Sequence, residues 1–509
     1  MHFVSLPIEI LRTRPVLTFW LAALAQTLLW VAVPTLFYAA PPGGLTDFMA
    51  VARHAGQIAH HAPPLAYWLA EAAFRLAGLF GVYLLAQSCV LVTLWAVFTL
   101  GRATLGDRHA VLATLLMAGI YFLTVPTPDF SPSSLAMPLW ALALLHFWRA
   151  CAEERELYWF ALAADLGLLL LTTALATFLI LLLVLFALLH PQCRAKLTQT
   201  GAIAAGLFVL MLLIPHAIWL KASGSIVLPA MPNLRSAELI ERNVYALARL
   251  MALLLLGHAG LLVMLAVGGS ALRRPRAEAA VIDRAPAAAL ASSFIAYFAL
   301  IPPLLLVIAA VIIGYPARLN FGPVVVMSGL AAVLAAGDSI AIYRQRTTVF
   351  TWFAFLLVPP ALTVLATLLL PWSAAADLRI SLPANDMARF FTENFERRTG
   401  QRLQYVAGDP ALTGLIAIGS ASRPYIFTPG NPHGPQPTLG DIVEKGAIVV
   451  WRATDSAGTP PTDLRALFPD LVPEVPRVFE RRVEGRLPQL RLGWAMIRPK
   501  TQAGAPPPQ

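Results

Sequence analysis

Charge is what this sequence has least of. Asp, Glu, Lys and Arg make up 13% of its 509 residues, roughly half the share found in ordinary soluble domains. Hydrophobic residues reach 58%, which excludes a typical water-soluble protein. Cysteine is scarce: Cys89, Cys151 and Cys193 stand alone, without CxxC or Cys/His spacing, so neither a disulfide framework nor a zinc site is indicated. No GxxxxGKS phosphate loop, HExxH or GxSxG motif occurs, which removes the signatures of several common catalytic classes. A fixed-period repeat and a heptad pattern are missing too. No cleavable-looking signal peptide is present, and the first long apolar segment reads as a permanent span.

Long apolar runs are abundant instead. They predict a polytopic α-helical membrane protein with about eleven spans, near 16–38, 80–100, 109–126, 132–149, 156–171, 173–190, 201–220, 247–270, 290–313, 319–337 and 348–371. The fifth and sixth adjoin at Leu171-Thr172-Thr173, where a tight hairpin turn is expected. The formal charge is +10, from 37 Lys+Arg against 27 Asp+Glu. A nucleic-acid partner does not follow, because most basic residues sit in short loops between the runs. Arg12/Arg14, Arg102/Arg108, Arg149/Arg155, Arg194/Lys196, Arg273/Arg274/Arg276/Arg284 and Arg344/Arg346 fall on alternate loops. The positive-inside rule then places the N-terminus in the cytoplasm and the tail outside.

Three outer segments exceed plain turns: 39–79, Lys221–Asn243 and the tail from 373. The first holds ProProGlyGly and an amphipathic stretch, Ala66–Leu79, expected to lie in the interface plane with Tyr67 and Trp68 at headgroup level. The tail turns polar and proline-rich. It offers a helix at Asp386–Arg398 and strands LeuGlnTyrValAla and AlaIleValValTrp. The expected organisation is a transmembrane domain over 1–372 with interfacial helices in 39–79, a small extracytoplasmic α/β domain over 373–500, and a disordered end at 501–509.

Polar groups at the outer surface are the candidates for chemistry. Asp47, past a proline-glycine turn, suits a general base that takes a proton from an acceptor, although capping a following helix is the plainer role. Asp129, between prolines on the turn before span four, offers a second carboxylate on a neighbouring outer loop; there Asp129 or Ser131 is a candidate helix cap. His60-His61-Ala62-Pro63-Pro64-Leu65-Ala66-Tyr67-Trp68 marks the abrupt entry of an interfacial helix, and its vicinal histidines make poor chelators. Arg318 at the outer end of span ten can hold a lipid phosphate by a bidentate contact or snorkel to headgroups. Asp165 lies inside span five, where an ionisable group is costly and where Arg155 or water is expected to satisfy it. Asp338, at a cytoplasmic span end, is expected to be exposed. Asp47 and Asp129 alone make no convincing metal site.

In this order, Asp47, then Ala62-Pro63-Pro64-Leu65-Ala66-Tyr67-Trp68, then Pro128-Asp129 resemble the motifs of the GT-C membrane glycosyltransferases of family 39, the group related to protein O-mannosyltransferases and lipid A aminoarabinose transferases. The tail adds GlnTyrValAlaGlyAspPro, SerArgProTyrIlePhe and GlyAlaIleValValTrp, similar to bacterial members.

The resemblance implies a GT-C-like fold and transfer of a sugar from a polyprenyl-phosphate carrier to an acceptor at the periplasmic face of the bacterial inner membrane. It makes Asp47 the catalytic base and Asp129 a supporting acid. Arg318 would neutralise the leaving phosphate, and His60, His61, Pro63, Pro64 and Tyr67 would shape the donor site. No cofactor beyond the lipid-linked donor is implied, and the acceptor, whether glycan, lipid or protein, is left open, as is a metal requirement. Three positions depart from the family pattern: Phe48 follows Asp47, Ala62 precedes ProPro, and Thr172 or Thr173 replaces a lysine common after the fifth span. The lost charges keep a second class open, a non-catalytic homologue that binds a polyprenyl-linked glycan or a partner protein. A lipid-linked sugar transporter is disfavoured, because no related halves are visible.

Overall fold

The computed structural model describes residues 6–53, 63–222, 237–269, 280–313, 321–342, 344–427 and 438–500. His60, His61 and Arg318 lie outside these residues, as does the expected disordered end at 501–509. The chain is mostly helical and divides into two compact units. The first takes in Met1–Ala32, Ala62–Ala66 and Val82–Ala361; the second takes in Val33–His61, Tyr67–Gly81 and Leu362–Gln509.

Helices follow in close succession: α1 (Leu6–Thr13), α2 (Pro15–Phe37), α3 (Gly43–Ala52), α4 (Leu65–Leu105), α5 (Asp107–Met117), α6 (Pro132–Cys151), α7 (Leu157–Leu170), α8 (Leu175–Leu189), α9 (Thr200–Ala222), α10 (Ala237–Gly257) and α11 (Ala259–Gly268). After strand β1 (Ala280–Asp283) come α12 (Ala289–Ile313), α13 (Ser328–Ala336), strand β2 (Ser339–Ile342) and α14 (Gln345–Ser373). β1 and β2 pair antiparallel.

Each of the eleven expected spans contains helix, but not always enough to cross a bilayer, which needs about 20 apolar residues. Among the described residues four helical segments are long and apolar enough: α2, α4, Ala289–Ala309 and α14. A fifth forms if α10 and α11, bent by 48° across their break, count together. The sequence misjudged continuity rather than position. Expected span three stops at Met117 and continues as a short 3-10 turn at Tyr121–Leu123, and the helix of span ten begins only at Ser328. The expected turn between spans five and six is present between α7 and α8. The amphipathic stretch at Ala66–Leu79 and span two follow one another in α4, parted by non-helical backbone at Ala77 and Gly78.

Inside the first unit, aromatic rings from α6, α8 and α12 form a buried cluster in which Phe186 and Phe294 meet edge-on at 5.4 Å. Such rings combine large apolar area with favourable quadrupole geometry.

In the second unit, α15 (Ala384–Thr399), β3 (Tyr405–Gly408), α16 (Pro410–Gly419), β4 (Tyr425–Phe427), β5 (Ala447–Arg452), β6 (Pro473–Phe479) and β7 (Leu490–Ile497) build a five-stranded mixed sheet in the order β4-β3-β5-β7-β6. β3 runs parallel to β4 and β5, while β7 runs antiparallel to β5 and β6. The central strand β5 is buried along all but its last residue, so it reads as a continuous apolar run. Met387, Phe391 and Phe395 of α15 pack with Leu412 and Leu415 of α16 against one face. The sequence set this domain at 373–500; the compact unit also takes in 33–61 and 67–81.

Candidate functional site

The second unit fixes the position of Asp47. Helix α3 starts just past Pro41-Pro42, and its buried face carries Leu45, Thr46, Phe48, Met49 and Ala52. Asp47 falls on the opposite face, its side chain 71% exposed. It is the fifth residue of the helix, so the capping role weighed from sequence does not apply; Pro42 occupies the cap.

Asp47 has a cationic neighbour from far along the chain. The Arg379 guanidinium donates from Nη2 to Asp47 Oδ1 at 3.3 Å. Arg379 opens a single 3-10 turn, Arg379–Ser381, and that turn is tied to the first loop by the N–H groups of Ala39 and Ala40, which donate to the Ile380 carbonyl at 2.8 and 3.1 Å. The arginine side chain runs over two glycines. A Cβ at Gly43 would stand 3.3 Å from Arg379 Nη1, and one at Gly414 would reach 3.5 Å from Nη2 and 2.7 Å from Thr46 Cγ2. Arg379 Nε is buried and has no hydrogen-bond partner among the described residues. Asp47 thus presents a carboxylate to solvent beside a guanidinium that retains donor capacity.

A second, buried ion pair holds the other end of α3. Arg423 Nη1 donates to Glu71 Oε2 at 2.6 Å, and the two side chains are 15% and 9% exposed. Arg423 also donates to the Met49 carbonyl at 3.4 Å and lies 4.4 Å over the Phe74 ring. Its backbone adopts φ +45°, an unusual setting for a residue with a Cβ. Arg53 stacks on Tyr425 at 4.4 Å, and Phe48 stacks on Tyr67 at 4.3 Å. Burial weakens the hold of Arg53 on its proton, with Arg423 acting in the same direction.

Asp377, two residues before Arg379, sits between two more arginines, Arg452 and Arg481. Burial opposes its ionisation, but the two guanidiniums outweigh that and hold its carboxyl below the usual carboxylate range. Arg481, only 5% exposed, is thereby neutralised.

Asp129 belongs to the first unit. It is half-buried in a turn where its N–H donates to the Pro126 carbonyl at 3.1 Å. Thr127 Oγ1 in the same turn donates to the Thr124 carbonyl and accepts from Gln87 Nε2 at 2.9 Å. Of the two residues considered as the cap of α6, Ser131 takes the role by accepting the Ser134 N–H. Pro64 is buried and Pro63 half-buried at the start of α4, where the Leu65 N–H donates to the Leu171 carbonyl at 2.9 Å. Thr172 and Thr173 use their hydroxyls locally, Thr172 on the Leu168 carbonyl and Thr173 on the Leu175 N–H.

One expectation for a charged residue changes. Asp165 is satisfied by His146, whose Nδ1 lies 2.6 Å away, while Arg155 pairs with Glu153 instead. The His146 and Asp165 positions, 19 apart in sequence, meet because α6 and α7 pack side by side. Asp338 is exposed as expected and also pairs with Arg284 at 2.7 Å. Sequence reading also missed Arg379, Glu71 and Arg423. Arg423 had a signal, since it stands in the SerArgProTyrIlePhe motif; Arg379 had none. No group of three or more His, Cys, Asp or Glu side chains converges among the described residues in a way suited to a metal ion.

Apolar helices of spanning length joined to a mixed α/β unit define a multi-pass membrane protein. It is similar to the crystal structure of ArnT from Cupriavidus metallidurans bound to undecaprenyl phosphate, with a TM-score of 0.57 over 97% of this chain and 99% of that one at 14% identity. The apo state of the same protein gives 0.56 over 95% and 97%, also at 14% identity. Residues 61–219 match the family model of dolichyl-phosphate-mannose-protein mannosyltransferases. The likeness to GT-C glycosyltransferases read from the motifs is borne out. No curated protein sequence matches the chain.

Proposed function

We propose that this protein is a glycosyltransferase that moves a sugar from a polyprenyl-phosphate carrier to an acceptor at the periplasmic face of the bacterial inner membrane. One observation carries the reading: Asp47, at the position the motif comparison marks as the base, is solvent-exposed on a helix anchored at both ends, with a guanidinium 3.3 Å away. Asp47 takes the proton of the acceptor nucleophile as that atom bonds to the anomeric carbon. The bond from that carbon to the phosphate oxygen breaks, and the carrier phosphate leaves with the electron pair. A base on the acceptor side and positive charge on the leaving group are what such a displacement needs.

In this reading Asp129 is a supporting acidic residue, Pro63, Pro64 and Tyr67 shape the donor pocket, and His60, His61 and Arg318 supply polar contacts to the phosphate. Arg379 adds a cation that the missing basic residues before Pro63 and after span five would otherwise provide. ArnT, the protein of similar fold, has been crystallised with undecaprenyl phosphate, which supports a polyprenyl phosphate as the carrier.

A non-catalytic, glycan-binding homologue is the second reading, favoured by Ala62 and by Thr172 or Thr173 standing where the family pattern has basic residues. Membranes containing the protein, supplied with labelled undecaprenyl-phosphate sugars, separate the two. Transfer of label to a new product by the native chain but not by Asp47→Asn supports the enzyme. Retention of carrier binding with no transfer by either chain supports the binding module.

A further inference from the structure

We propose that the first unit contains a binding site for an acyl chain of an anionic phospholipid, separate from the aspartates and independent of whether the chain is an active transferase. The site is a cavity of about 420 Å³, within the ~300–1,000 Å³ range of small-molecule sites. Its wall is assembled from seven elements, α1, α2, α5, α11, α13, β2 and α14, and includes Ile8, Leu11, Ala25, Leu116, Ala336 and Trp352. An apolar cavity of ~150 Å³ stays dry and takes up benzene, so one almost three times larger suits an alkyl chain.

Water is a poor occupant, because a buried water needs two to four polar partners. Thr18 turns its hydroxyl onto the Arg14 carbonyl at 3.2 Å, and Trp352 donates its indole N–H to the Leu115 carbonyl. The Thr348 hydroxyl, on the wall, is buried with no hydrogen-bond partner among the described residues. It is a donor placed for one ester oxygen.

Charge points to the headgroup. Arg12 directly follows wall residue Leu11, Arg14 lies three residues after it, and Arg346 stands two residues before wall residue Thr348; all three are exposed. Arg108 joins Arg12 and Arg14 by donating from Nε to the Arg12 carbonyl at 3.2 Å. None of the four has a carboxylate partner among the described residues, whereas Asp107 and Asp338 nearby are already held by Arg102 and Arg284. Guanidiniums of this kind bind phosphodiester oxygens with paired N–H donors.

The test is native mass spectrometry of the full chain in detergent, with phosphatidylglycerol or phosphatidylcholine added in equal amounts, alongside thermal unfolding. The expected result is one phosphatidylglycerol retained per chain and a midpoint raised by several degrees, with little effect of phosphatidylcholine. Ala25→Phe and Ala336→Phe, made singly, should each abolish retention while unfolding like the lipid-stripped native chain. The pair Arg12→Gln with Arg346→Gln, which leaves the wall intact, should retain both lipids equally. Equal retention of the two lipids by the native chain overturns the proposal. So does undiminished retention in the phenylalanine variants, or displacement of phosphatidylglycerol by equimolar undecaprenyl phosphate.

Discussion

Arg379 Nη2 stands 3.3 Å from Asp47 Oδ1 across 332 residues of chain, and the guanidinium reaches that spot because Gly43 and Gly414 leave no Cβ in its path. The pair is the most specific polar arrangement on the exposed face of α3, and its consequences are measurable.

Asp47→Asn should lower sugar transfer by about 10²–10⁴-fold, the usual contribution of a positioned general base. Its exposed side chain makes the change nearly neutral for folding, within about 0.5 kcal/mol. Transfer assays paired with thermal unfolding check both parts; a large loss of stability would remove the catalytic interpretation of lost activity.

Gly414→Val should destabilise the second unit by about 1–3 kcal/mol, the common cost of overpacking, because its Cβ would meet Thr46 Cγ2 at 2.7 Å and crowd Arg379. Gly43→Ala meets only the arginine side chain and should cost less. Unfolding midpoints in detergent rank the two, and the reverse order would contradict the geometry.

Glu71→Ala should cost about 3–5 kcal/mol, because it strands the buried Arg423 guanidinium without a counter-charge. A double-mutant cycle with Arg423→Met measures the coupling. If the double variant is no more stable than Glu71→Ala alone, the buried pair does not account for the loss.

Asp377 ties stability to acidity. Its folded pKa is depressed, so its stabilising contribution is fully present above the unfolded value of about 3.9. It is lost as pH falls through the lower folded value. Native protein should therefore lose stability more steeply than Asp377→Asn below about pH 4, as followed by unfolding midpoints across pH. Parallel curves would show that Asp377 does not carry the linkage.

Much was legible in the sequence because it follows from local rules. Composition and apolar run length demand helices that bury backbone hydrogen bonds in lipid, and helix occurs in every expected span. Proline-glycine turns and the amphipathic Ala66–Leu79 stretch located the loop that carries Asp47. Continuity was harder to read. A break such as the one at His258, where the Nδ1–H donates to the Leu254 carbonyl at 2.7 Å and Nε2 meets Ser328 Oγ at 2.9 Å, depends on a partner 70 residues away.

By itself, then, the sequence determined a helical membrane protein, its candidate carboxylates and its likeness to GT-C glycosyltransferases. Hydropathy, turn chemistry and short motifs act within a few residues and survive in a one-dimensional reading. Only the tertiary structure decided the partners: Arg379 for Asp47, Arg423 for Glu71, His146 for Asp165 and Ser131 over Asp129 as the cap of α6. An ion pair is selected by a short distance in space, which is not a function of separation along the chain. Glu71 and Arg423 meet over 352 residues because the first outer loop and the tail fold into one compact unit.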